Sequence, residues 1–392
     1  MTRDDIKEEI LKIENNNILL ELSTGVGKTF LAIQLMKKYN PKSLLIIVPR
    51  LVLIDNWKYE LNKFKASRFI PRITFSTYVG LNKYACNTYD MCIADEGHHL
   101  TDRSLEFLET IQRDRNIILS ATVTRNMLYT LSYNFKDLYH YKIGLKETIE
   151  NDILPDPRVI LIPLKLNNGI PTESIWKNPK GLDPVIEVPY ALRWSAIKQK
   201  KFKVRIYCTE QQYYNDLSDT IEWYKKKAIS TRNEAMKSRW LKLCGDRLKW
   251  LSDKKTRLLV ELSAKLKNER VLTFCNSIEQ AELFQYSIHS KDKNSRLNLN
   301  KFNEGKINHI SAVATLDEGV NLYNCRIGVF GMLNSSEIKV TQRNGRILRH
   351  KNPIIIIPYY VGTREEELKD KMLENYNPKL IETITNINDL KL

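Results

Sequence analysis

The sequence predicts an α/β protein of two parallel-sheet domains in tandem, with a basic, mainly helical insertion near the start of the second. Three observations predict it. Short apolar runs alternate with helix-spaced segments from residue 17 to 122, and again from 270 to 361. These runs lack a strict polar alternation, as strands buried on both faces do, and strand–helix alternation implies a parallel sheet. Between the two alternating regions, 209–268 reads as long helices rich in lysine.

The elements follow in order. NILLEL (17–22) is a strand, and TFLAIQLMKKY (29–39) has helical spacing. SLLIIVP (43–49) is a strand, followed by helical LVLIDNWKYELNKF (51–64). ITFSTY (73–78), MCIAD (91–95) and NIILSAT (116–122) are further strands. DPRVILIPLKLN (156–167) reads as a strand leaving the first domain, before a stretch containing Pro, Gly and Asn at 167–190. After the helices come RVLTFCN (270–276), EQAELFQYSI (279–288), INHISAVA (307–314), CRIGVFGM (325–332), VTQRNGRILRH (340–350) and PIIIIPYYV (353–361). The domains expected are 1–150 and 151–392, with the basic helical element at about 195–268.

Composition narrows the function classes. The 392 residues are 42% hydrophobic and 28% charged, as in a soluble globular protein. No apolar run approaches the ~20 residues of a membrane span, and the charged N-terminus resembles neither a signal nor a transit peptide. Six scattered cysteines without a C-x-x-C argue against a zinc site or disulfide framework and for a reducing compartment. The net charge of +16 suggests a polyanionic partner, most often nucleic acid. Residues 1–150 hold 21 Lys/Arg against 18 Asp/Glu, whereas 195–270 hold 20 against 9. A solvated lysine face would also carry that charge; beside an enzyme-like region a binding surface is the better reading.

The stretch STGVGKTF follows the first strand directly. Gly25 and Gly27 let the backbone N–H groups curl toward a phosphate. Lys28 is placed to reach β- and γ-phosphates, and Thr29 to set its hydroxyl on Mg²⁺. Thr24 and Val26 complete this loop, and the following helix aims its N-terminus at the same anion. Leu22 stands where a full G-x-x-x-x-G-K-T would have its first glycine. Asp95 and Glu96 close the strand of CIADEGHHL (92–100), at the end where parallel sheets bind ligands. Two adjacent buried carboxylates need a cation. Asp95 is expected to hold the metal with Thr29, and Glu96 to orient or deprotonate the attacking water.

On these motifs the chain resembles helicase superfamily 2. DEGHH resembles its Walker B motif in the DExH form, and SAT (Ser120, Ala121, Thr122) its motif III. VPRLVLIDNWKYEL resembles the V-P-x-x-x-L-x-x-N-W segment of the Swi/Snf and type III restriction motor branch. RVLTFCNSIEQAE resembles motif IV, ATLDEGVNL motif V and QRNGRILRH motif VI. The resemblance runs in the family's order from about 17 to 361, and it implies two RecA-like domains with ATP and Mg²⁺ bound between them. No glutamine precedes Gly25, so no Q motif for adenine is seen.

The resemblance implies roles in the second domain. Arg346 and Arg349 lie three apart, one face of a helix, and guanidinium forks suit a γ-phosphate in its transition state. A site completed from both domains would work only when the cleft closes, so turnover becomes domain motion. Gln342 is expected at the nucleotide or its water. Gly319 is expected to bring backbone close to ribose or phosphate, with Asp317 and Glu318 coupling that loop. His99, Ser120 and Thr122 are expected to couple the nucleotide site to the track. Arg50, Thr77, Asn276, Ser277 and Thr315 are expected nucleic-acid contacts. Trp223, Tyr224, Trp240 and Trp250 lie among the lysines, where packing is favoured over base stacking. His140, His289 and His309 have no constellation.

The expected activity is an ATP-dependent DNA helicase or translocase, monomeric and cytoplasmic in a bacterial or phage-infected cell. Its field would be replication, recombination or repair, and its substrate single-stranded, forked or branched DNA. Three rivals stand: an RNA helicase, a duplex translocase that does not separate strands, and a nucleic-acid scaffold that hydrolyses ATP weakly. The N-W segment favours DNA. A scaffold has no need of Lys28, Asp95, Glu96 and Arg349 together.

Overall fold

Six strands line up in parallel in the N-terminal part of the chain: β1 (Asn17–Leu22), β2 (Leu44–Val48), β3 (Ile73–Thr77), β4 (Thr88–Ala94), β5 (Gln112–Ser120) and β6 (Tyr139–Ile143). Their order is β3-β2-β4-β5-β1-β6. The computed structural model describes residues 1–177, 204–313, 322–334 and 343–392. Side chains of β1 go alternately to two cores: Ile18, Leu20 and Leu22 to one, Leu19 to the other. Both faces are therefore covered, which is why the strand reads as a continuous apolar run. The covering helices are α1 (Arg3–Lys12), α2 (Lys28–Tyr39), α3 (Val52–Lys63), α4 (Asp102–Thr110) and α5 (Arg125–Asn134), whereas α6 (Leu145–Glu150) packs Leu145 and Ile149 into the core of the second sheet. Thr2 and Asp5 form a capping box that starts α1.

The run 156–167 does not belong to the first sheet. As β7 (Arg158–Leu164) it joins the second, where it pairs with a strand almost 200 residues later. Next come β8 (Glu173–Lys177) and β9 (Val204–Cys208), an antiparallel pair. The basic element follows as α7 (Glu210–Thr231), α8 (Glu234–Lys254) and α9 (Thr256–Lys265). α7 and α8 form a helical hairpin. Lys254 ties its base to Glu173 and, at 3.0 Å, to Glu210. The tryptophans divide: Trp250 packs against Tyr213 and donates to Glu173, while Trp223 is 51% exposed.

The second sheet is completed by β10 (Val271–Phe274), β11 (Ser287–Ile288), β12 (His309–Ala312), β13 (Ile327–Phe330), β14 (Ile354–Tyr360) and β15 (Ile381–Thr383). All pairs are parallel, in the order β11-β12-β10-β13-β14-β7-β15. Helices α10 (Ile278–Ala281), α11 (Ser295–Asn303) and α12 (Arg364–Leu373) accompany it. PIIIIPYYV is not the last core strand, because β15 adds a seventh beyond it. A buried pair, Lys255 Nζ to Glu365 Oε1 at 2.5 Å, links the start of α9 to α12. No helix among the described residues is long and apolar enough to cross a membrane.

Candidate active site in the interdomain cleft

A cleft of about 810 Å³ lies between the two sheets' C-terminal loops. From the first domain it is lined by Thr24, Gly25, Gly27, Lys28, Thr29, Asp95 and Glu96; from the second, by Gly345, Arg346 and Arg349. Seven of the residues expected to bind or cleave nucleotide from the first domain and both expected arginines thus share one cavity.

The loop after β1 has the backbone that phosphate binding asks for. Gly25 and Gly27 have φ of +98° and +109°, a region costly for any side chain. Val26 is buried and anchors the loop in the core below. Gly27 is the N-cap of α2 and offers no side-chain cap, so the first N–H groups of that helix point outward. Lys28 Nζ rests 3.4 Å from Leu22 O.

Asp95 follows β4 and is 8% exposed. Its Oδ1 accepts the Glu96 N–H at 3.0 Å, and its Oδ2 accepts the Trp57 indole N–H at 2.9 Å. Tyr78 donates its hydroxyl to the Asp95 main-chain oxygen at 2.7 Å. Burial raises the Asp95 carboxyl to about 6, the adjacent Glu96 charge adding to it; the Trp57 hydrogen bond and the Lys28 charge pull the other way. Glu96 has φ +51°. Its Oε2 is buried, accepts no hydrogen bond and stands 3.5 Å from His98 Nδ1. Gly97 is obligatory: a β-carbon there would lie 2.4 Å from Ile118 Cγ2. The orphaned Glu96 oxygen, the left-handed glycines and the cavity together fit a nucleoside triphosphate with a divalent cation. Thr29 and Asp95, the two residues expected to hold that cation, both line the cavity.

Ser120 is fully buried and donates to Thr122 O at 2.7 Å; Thr122 Oγ1 is buried without a hydrogen bond. Val123, next along, donates to Glu21, which also takes His140 at 2.8 Å and Lys142 at 3.1 Å. His140 therefore serves to fix β6 to β1. His99 packs at a tilt against His98, with ring centroids 4.4 Å apart, and against Tyr78.

Arg50 is exposed after β2 and Thr77 ends β3. Asn276 donates its N–H to Gln280 Oε1 and keeps a buried amide without a partner. Ser277 caps α10 by accepting the Gln280 N–H. Thr315, Asp317, Glu318, Gly319 and Gln342 lie outside the described residues.

Four groups here stood inside quoted segments without a role of their own: Trp57, Tyr78, Gly97 and Gly345. The last brings the two domains close together in the cleft, since a β-carbon on it would fall 1.7 Å from Thr24 Oγ1.

The family model of the type III restriction enzyme res subunit matches residues 3–125. That of the helicase conserved C-terminal domain matches residues 253–351. The chain belongs to helicase superfamily 2. This superfamily 2 helicase is 22% identical to the DNA 3'-5' translocase XPB2 of Sulfurisphaera tokodaii over 409 residues, which cover 94% of this chain and 84% of the relative. Its fold resembles the Pyrococcus furiosus Hef helicase domain, with TM-score 0.52, 15% identity and 94% and 97% of the two chains covered. It also resembles a variant of S. cerevisiae Dbp5 bound to RNA and ADP BeF3, with TM-score 0.59, 10% identity and coverage of 97% and 89%. The two sheets are thus tandem RecA-like domains, and the helicase is a nucleic-acid-dependent ATPase.

Proposed function

We propose that this helicase hydrolyses ATP in the interdomain cleft and uses the resulting opening and closing to move on DNA. The observation that carries the reading is the convergence of Lys28, Asp95, Glu96, Arg346 and Arg349 on one cavity from two domains. DNA is preferred to RNA because the XPB2 relative is named a DNA translocase and the res-subunit match covers the first domain.

ATP is the substrate, its triphosphate along the backbone N–H groups from Gly25 to Thr29. Mg²⁺, when bound, would neutralise phosphate charge. Lys28 holds the β- and γ-phosphates. Glu96 orients a water and takes its proton as the water oxygen bonds to the γ-phosphorus. The bond from that phosphorus to the β–γ bridging oxygen breaks, leaving ADP and inorganic phosphate. Arg346 and Arg349 bear on the charge that spreads over the transferring group. After cleavage the arginines no longer bear on a γ-phosphoryl group attached to the nucleotide held by the loop of Gly25 and Gly27, and the cleft relaxes.

Arg50, Thr77, Asn276, Ser277 and Thr315 form the proposed track, and the chain acts as a monomer in unwinding or branch migration. The test is the steady-state ATPase rate alone, then with single-stranded, duplex and forked DNA and with RNA of matched length. Strong stimulation by single-stranded or forked DNA with little from RNA supports the reading. Preference for RNA overturns the choice of track. Stimulation by plain duplex alone makes the enzyme a translocase that leaves the strands paired.

A further inference from the structure

Asp95 is gripped from two sides by buried aromatics. Trp57 is 1% exposed and Tyr78 7%. The indole fixes one carboxylate oxygen, the phenol fixes the main-chain oxygen, and the Glu96 N–H takes the second carboxylate oxygen. The carboxylate is therefore held from α3 through Trp57, and the main chain that carries it is held by Tyr78, just after β3.

Each of those elements opens on an exposed stretch. α3 starts after Arg50, and Leu51 and Val52 beside it are 70% and 52% exposed. Tyr78 follows Thr77 and precedes Val79, which is 90% exposed. β2 and β3 are neighbours, so both stretches emerge at adjacent strand ends. α3 is also a stiff lever: Leu53, Trp57 and Leu61 are buried at spacing four, one face of the helix. Interiors are close-packed, so a shift at the start of α3 reaches Oδ2 through one helix and one ring. At Thr77 the path is shorter still, a single peptide bond to Tyr78.

We propose that Trp57 and Tyr78 are positioning residues that couple the nucleic-acid track to the ATP site, by setting the orientation of Asp95 when a phosphate backbone seats on Arg50 and Thr77. The proposal rests on the functional reading above. Coupling between two binding events is reciprocal. Seated nucleic acid orders the carboxylate for Mg·ATP, and bound Mg·ATP alters the affinity for nucleic acid by the same factor. Trp57 lines the cleft beside Asp95, whereas Tyr78 does not and acts through Asp95 alone.

The test compares wild type with Tyr78→Phe, which deletes one oxygen, and with Trp57→Phe. Fluorescence anisotropy measures the affinity for single-stranded DNA with and without a non-hydrolysable ATP analogue and Mg²⁺. ATPase rates with and without DNA give the stimulation ratio. The expected result is DNA affinity without nucleotide within twofold of wild type, a nucleotide effect on that affinity reduced toward one, and a stimulation ratio at least fivefold lower. Should Trp57→Phe lose its fold, Tyr78→Phe decides alone. Wild-type ratios in a folded Tyr78→Phe overturn the coupling and leave the functional reading standing. A wild-type enzyme that neither DNA nor RNA stimulates overturns the reading, and the coupling with it.

Discussion

Gly345 in the second domain stands against Thr24 in the first so closely that a β-carbon on the glycine would fall 1.7 Å from the threonine hydroxyl oxygen. No rotamer change relieves this entirely, because Thr24 Cβ would be 2.3 Å away. The absent side chain is what permits the arginine-bearing segment to approach the phosphate loop.

Gly345→Ala should therefore hold the cleft ajar while each domain stays folded. Turnover should fall at least a hundredfold, equivalent to about 2.7 kcal/mol of transition-state stabilisation. Steady-state ATPase, with circular dichroism to verify the fold, checks it. Wild-type turnover in this variant would mean that the active closed state is looser than the one described.

Lys28→Ala should abolish turnover and nucleotide binding together, whereas Glu96→Gln should keep binding and lose cleavage. Equilibrium binding of a fluorescent ATP analogue separates the two. Normal hydrolysis by the glutamine variant would remove Glu96 from its role as base.

His309 bridges Ser263 and Thr273, at 2.8 and 2.9 Å, and burial holds its imidazole at about 4 against an ordinary 6.5. The folded state thus binds fewer protons than the unfolded chain between those values, and stability rises with pH across that window. Full stabilisation is present above about 6.5 and is lost as pH falls toward 4, with a ceiling of ~3 kcal/mol. Urea midpoints at pH 7 and pH 5 measure the effect, and His309→Gln should flatten the difference.

Lys255 and Glu365 are both fully buried, and burial pulls the lysine below its usual range. Glu365 also accepts the Tyr360 N–H, and Lys255 also donates to Pro358 O. Lys255→Met strands the carboxylate and should cost about 3–5 kcal/mol of stability. Adding Glu365→Leu should return part of that loss, leaving about 1–3 kcal/mol for the unsatisfied amide. Chemical denaturation of the two variants reads both numbers.

Much of this was legible because buried parallel strands leave a crude signal. NILLEL was delimited as β1 from its apolar run alone, and the phosphate loop from its two glycines, lysine and threonine. β6 escaped because YHYKI lies at a sheet edge with polar residues facing outward; its pairing with β1 depends on Glu21, His140 and Lys142 meeting across strands. β15 escaped because three residues carry no periodicity. The helix of Trp57 was visible and its burial could be read from the spacing to Leu53 and Leu61. Its bond to Asp95 could not, since 38 residues separate the two and only the crossover between β2 and β4 brings them together.

The position of β7 sets the order in which this chain can fold as it is made. All six strands of the first sheet have been synthesised by residue 143, so that domain is free to form early. β7 emerges next, and its sheet neighbours begin at residues 354 and 381. At ~5–20 residues per second this apolar strand waits on the order of 10–40 s for a partner. During that interval both of its edges are open to pairing with other chains. The second domain is thus committed to late assembly, and a ribosome that stalls within the helical hairpin would leave a folded ATP-loop domain trailing an unpaired, aggregation-prone strand.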